Sequence, residues 1–152
     1  MNIIKNYQEI INSKIEKIRI QGTPNELYDP INYILNLKSK RVRPILSLLS
    51  YSLFKKDIDK ITEPSIALEF FHNFTLIHDD IMDNADIRRG EDTIHKKWNN
   101  NIGILSGDLL MIFAYKMLEN VEEKTFKKTF QRYNNIAVKV CEGQQYLSLI
   151  HI

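Results

Sequence analysis

The 152-residue chain is 43% hydrophobic and 26% charged, a balance that excludes a disordered or fibrous protein. Its net charge of +2 gives no compositional reason to expect nucleic acid, and its single cysteine, Cys141, excludes an internal disulfide and favours an intracellular, cytoplasmic setting. The opening MNIIKNYQEI lacks a signal-peptide run, and the greasiest stretches, ILSLLSYSLF and LLMIFAY, fall short of the roughly 18 apolar residues of a membrane span.

Helical periodicity runs through most of the chain. Ile3, Ile4, Tyr7, Ile10, Ile11, Ile15 and Ile18 recur at helical spacings and predict a first helix. A second is expected over 26–37. A third should start near Pro44, where a missing N–H is harmless in the first turn, and run to residue 54. Thr62 reads as an N-cap, with Pro64 in the first turn of a long helix over 65–84. A polar loop should fill 85–92, followed by helices over 104–119 and 122–146. No alternating pattern marks a strand and no internal repeat is present. The expected fold class is therefore all-α, a helical bundle.

The chemistry concentrates at the end of the long helix. Asp79, Asp80 and Asp83 form D-D-x-x-D. Asp79 and Asp83 lie one turn apart on one face, and Asp80 is roughly 100° round from Asp79. Like charges at this spacing repel, and a helix C-terminus disfavours anions. Two local rules broken together point to a functional site. Such oxygen ligands suit Mg²⁺, which keeps several waters and bridges to phosphate oxygens. Arg88 and Arg89 follow, with guanidinium forks that fit phosphate, and Gly90 frees the loop to bend them back. A salt bridge between these arginines and the aspartates is the plain structural alternative.

Upstream, LKSKRVRPILSLL carries Lys38, Lys40, Arg41 and Arg43 just before a helix, where cations are disfavoured unless an anion is held there. A solvated basic turn is the alternative. His72 lies seven residues before Asp79 on the same helical face. Spacing assigns no role to His78 or His95.

In this order the pieces KSKRVRP (38–44), FFHNFTLIHDDIMDNADIRRGEDTIH (70–95), ILSGDLL (104–110) and EGQQ (142–145) resemble the trans-prenyltransferases. These are the polyprenyl diphosphate synthases, farnesyl and geranylgeranyl diphosphate synthases among them. The resemblance covers nearly the whole chain and the N-terminal half of such an enzyme. It implies a truncated bundle of the isoprenoid synthase type around a deep apolar cavity, a homodimer when full length, with no nucleic-acid partner. Asp79 and Asp83 look like Mg²⁺ ligands in a catalytic set with Asp80 and Arg88. Arg88 looks like the allylic diphosphate ligand. Lys40, Arg43, His72 and Arg89 look like the isopentenyl diphosphate site, and Gln144 belongs at the allylic end of the pocket. The implied reaction joins isopentenyl diphosphate to an allylic diphosphate.

Product length is read in this family from the turn before the aspartates. Thr75 is small and one turn below Asp79, whereas Phe74 is about 140° away on the helical wheel. One aromatic at that position resembles geranylgeranyl synthases, so C20 is favoured over C15. Ser39 stands where the family has glycine. Leu147 replaces an expected acid, so residues 147–152 are expected to depart from the family pattern. The second aspartate-rich motif is absent from these residues, so the fragment is expected to be inactive alone. The competing readings are a class I terpene cyclase, which has no second diphosphate to hold, and a non-catalytic helical subunit. An EF-hand calcium loop fails for want of alternating acids.

Overall fold

The computed structural model describes residues 3–150. Tyr7, Ile11 and Ile15, spaced four apart, form the buried stripe of α1 (Ile3–Lys17). α2 (Asn25–Asn36) buries Pro30, Ile31, Ile34 and Leu35. α3 (Val42–Ser52) starts two residues before Pro44, which still falls in its first turn. α4 (Asp59–Met82) is the central rod and touches α1, α2, α3 and α6. It buries residues around much of its circumference because helices cover it on more than one side.

The long helix begins earlier than its sequence signals suggest. Thr62 is not the N-cap: it lies inside α4, and its hydroxyl donates to the Ile58 carbonyl one turn back at 2.9 Å. That bond gives threonine a helical alternative to capping. Pro64 consequently sits beyond the first turn.

The far end of α4 packs against α6 (Asn100–Leu118). Ile66, Phe70, Asn73, Ile77 and Asp80 form the buried seam of α4. Gly103, Ser106, Gly107, Leu110, Ala114 and Leu118 form that of α6. The glycines allow a close approach. A Cβ on Gly103 would sit 2.9 Å from Ile81 Cδ1, and one on Gly107 would sit 2.6 Å from His78 Nε2. α6 starts earlier than 104 because Asn99 caps it, accepting from the Ile102 amide at 2.9 Å. At 19 residues α6 is long and apolar enough, by length and composition, to cross a membrane, contrary to the sequence expectation. Here its small-residue stripe is buried in helix packing.

The loop expected over 85–92 contains a two-residue hairpin, β1 (Ile87–Arg88) paired antiparallel with β2 (Glu91–Asp92). The expectation of no strand is corrected to that extent, since two residues are too few to show alternation. A four-residue helix, α5 (Ile94–Lys97), follows the hairpin. The chain divides into two units, Met1–Asn120 and Val121–Ile152. The second holds α7 (Glu123–Ile150), a helix carrying a stacked Phe126–Phe130 pair and running past residue 146.

Candidate diphosphate and metal site

α4 ends in a tight reversal. Asn84 is left-handed at φ 51, its amide donates to the Ile81 carbonyl at 3.3 Å, and the Ala85 amide donates to the Asp80 carbonyl at 2.9 Å. This is a Schellman cap with asparagine in place of the more usual glycine. Arg89 (φ 56) and Gly90 (φ 86) then form the turn of the hairpin, both left-handed as a two-residue type I′ connection demands. Glycine adopts that conformation freely, whereas arginine there is an uncommon, strained choice that marks a position worth a functional explanation.

The double reversal lays Arg88 back over the helix it has just left. Its Nε donates to both Asp80 oxygens, at 3.0 and 3.2 Å, and Nη2 donates to Asp80 Oδ1 as well. Asp80 is only 2% exposed. The bond to Asp80 leads the influences that raise the Arg88 pKa above its ordinary value, and Asp79 and Asp83 add to it. The same Nη2 is 3.6 Å from Asp79 Oδ2. The alternative internal salt bridge therefore exists, and it separates the three aspartates. Asp80 faces inward to Arg88, Asp79 is partly exposed, and Asp83 is the exposed C-cap.

Among the described residues no group of three or more His, Cys, Asp or Glu is arranged around a common metal position. Asp79 and Asp83 offer two carboxylates, one turn apart, at the exposed helix end. That donor set fits an ion that keeps most of its waters and takes further oxygens from a phosphate.

The basic side of the site shows in its effect on His72. His72, half-buried on α4, has its pKa pushed down to about 4, first by burial and then by the Arg43 charge, with Arg89 and Arg88 adding to the effect. Three arginines from α3 and the hairpin thus act on one imidazole, which is neutral near pH 7. Lys40 and Arg43 are exposed. Arg89 buries Nη1 with no partner among the described residues, and burial lowers its pKa. Thr75 donates to the His72 carbonyl at 2.8 Å. Phe74 meets the His78 ring edge-on at 4.8 Å. His78 in turn lies 3.3 Å from the Ile104 carbonyl and 3.6 Å from Asp108, within the α4–α6 contact. Gln144 lies on α7, in the second unit.

Sequence reasoning missed the cluster behind this basic side. Arg41, 4% exposed, pairs with Glu69 at 2.8 Å and also donates to the Leu35 carbonyl at 2.6 Å and to Asn12 at 3.1 Å. Ser39 donates to Glu69 at 3.3 Å and accepts from the Arg41 amide at 3.3 Å. The available signal was Glu69 itself, a lone charge in the apolar run SIALEFF. Two concavities, of about 700 and 440 Å³, run along α1 and α2 and hold none of Asp79, Asp83, Arg88 or Phe74.

Residues 24–148 match the family described as polyprenyl synthetase. The chain belongs to that family. Among polyprenyl synthetase relatives, the geranylgeranyl pyrophosphate synthase of Geoglobus acetivorans is 35% identical over an alignment of 144 residues that covers 93% of this chain and 45% of that protein. The geranylgeranyl diphosphate synthase of Methanosarcina mazei is 35% identical over 93% of this chain and 44% of its own. A crystal structure of a geranylgeranyl pyrophosphate synthase superposes with a TM-score of 0.90 at 43% identity, covering 95% of this chain and 44% of that one. The chain thus spans a little under half the length of these relatives. The all-α isoprenoid synthase architecture expected from sequence is the one found.

Proposed function

We propose that this chain carries the first half-site of a short-chain prenyl elongation enzyme, which joins isopentenyl diphosphate to an allylic diphosphate. The observation that carries this reading is the sorting of charge at the end of α4. Asp80 is committed to Arg88, while Asp79 and Asp83 remain at the exposed end and the charges of Arg43 and Arg89 both act on His72.

In this reading Asp79 and Asp83 would hold Mg²⁺, which when bound supplies positive charge to a departing diphosphate. Arg88, steered by Asp80, turns its remaining donors toward that diphosphate as its allylic C–O bond breaks. Lys40, Arg43 and Arg89 hold isopentenyl diphosphate by charge, and His72 contributes as a neutral imidazole. The isopentenyl double bond attacks the allylic cation, the product is five carbons longer, and the released diphosphate takes the proton. Names such as geranylgeranyl diphosphate synthase among the relatives, with Phe74 and Thr75 below the aspartates, favour a C20 product over C15. Gln144 at the allylic end, a homodimer of the complete enzyme and a cytoplasmic setting belong to the same reading. Turnover by these 152 residues alone is not expected, because they contain no second aspartate-rich motif.

Calorimetry on the chain tests the proposal. Geranyl diphosphate should bind in the presence of Mg²⁺, and Asp79→Ala with Asp83→Ala should abolish the magnesium dependence. Uptake that is absent in wild type, or indifferent to both substitutions, would end it.

A further inference from the structure

Glu69 is a buried carboxylate to which no step of the proposed reaction assigns a task. It is 1% exposed, in the middle of α4, and its Oε1 is the meeting point of several groups. Arg41 Nη1 donates to it at 2.8 Å and Ser39 Oγ at 3.3 Å, and Asn73 Nδ2 approaches at 3.4 Å. Arg41 reaches this position from a left-handed backbone at φ 49, directly before α3, and its other nitrogens hold α1 through Asn12 and the end of α2 through the Leu35 carbonyl. Lys40 and Arg43 flank Arg41 in sequence and point their charge outward, whereas Arg41 points inward. A strained turn and a fully buried ion pair are a strong constraint on one short segment. That segment is the one bearing the exposed cations.

The second line of observation comes from the hairpin. Arg89 carries a buried Nη1 with no partner among the described residues. Burial disfavours its cation, and Glu69 is the largest influence acting the other way, with Arg41 opposing it. Glu69 is therefore bonded to Arg41, and its charge also acts on Arg89 and His72.

We propose that Glu69 is a positioning residue for isopentenyl diphosphate: it pins Arg41, and with it the Lys40–Arg43 segment that would hold the diphosphate. The ligand in this statement rests on the reading given under Proposed function. Ser39 is part of the device, since its hydroxyl links the Arg41 amide to the same carboxylate.

The test separates positioning from mere support. Removing one partner of a buried pair strands the other, so Glu69→Gln is compared with the double variant Arg41→Met/Glu69→Leu, which replaces the pair by apolar bulk and is expected to stay folded by circular dichroism. Both are titrated with isopentenyl diphosphate and, with Mg²⁺, with geranyl diphosphate. In the folded double variant, isopentenyl diphosphate affinity should fall roughly tenfold or more, the scale of a lost charge-assisted contact, while geranyl diphosphate uptake stays near wild type. An equal loss for both ligands, or no loss for either, overturns the proposal. Wild-type chain that takes up no isopentenyl diphosphate would sink the substrate reading instead.

Discussion

Two arginine–carboxylate pairs hold this chain's charged residues in place, and they differ in what they leave over. Arg41–Glu69 is buried on both sides, at 4% and 2% side-chain exposure, and the other two Arg41 nitrogens donate to the Leu35 carbonyl and to Asn12. Arg88–Asp80 buries only its acid, at 2%, while Arg88 stays 29% exposed and is shared at 3.6 Å with Asp79. The first pair is closed and serves as an anchor. The second is open on one side, so Arg88 can keep Asp80 and still offer donors to an arriving anion. The same two functional groups thus do different work because solvent reaches one arginine and not the other.

Breaking each pair from one side should expose that difference. Arg41→Met alone strands Glu69 and should destabilise the fold by about 3–5 kcal/mol, measured by denaturant melting. Asp80→Asn strands an arginine that water can reach, so its effect should be smaller, about 1–3 kcal/mol in the same melt. It should also weaken magnesium-dependent uptake of geranyl diphosphate. A Asp80→Asn loss as large as that of Arg41→Met would erase the contrast.

Smaller effects sharpen the role of the reversal that delivers Arg88. Asn84→Ala forces a residue with a Cβ penalty into the left-handed cap and should lower stability by about 1 kcal/mol, while Asn84→Gly should be nearly neutral. The smallest expected change is in pH dependence. His72 binds its proton near pH 4 when folded and near its ordinary value of 6.5 when unfolded. Between those values the unfolded chain holds more protons, so stability contributed by the neutral ring is present above the upper value and is lost as pH falls toward the lower. In thermal melts His72→Gln should flatten the curve within that window and leave it unchanged above pH 7.

The bundle was readable from hydrophobic spacing because helical periodicity is local. α1 shows it plainly, and the D-D-x-x-D and R-R-G fragments announce themselves by breaking local electrostatic rules. The caps were harder. Asn99 and Asn84 are ordinary asparagines until the backbone around them is known, and Thr62, which looks like a cap, bonds back to Ile58 within its helix. α6 illustrates the same point from composition: its apolar length suits a membrane as well as a protein core, and only its partners separate the two.

Sequence alone determined that acids end an apolar helix, that paired arginines follow, and that a basic turn precedes another helix. These are facts of order and spacing along one strand of chain. Tertiary structure decided which charges meet. It sent Asp80 inward to Arg88, left Asp79 and Asp83 at the open end, and brought Glu69 to Arg41 across 28 positions of sequence. The physical reason is that pairing depends on burial, which helices distant in sequence supply, and on the direction a backbone turns, which the Asn84 cap and the Arg89–Gly90 turn set for Arg88.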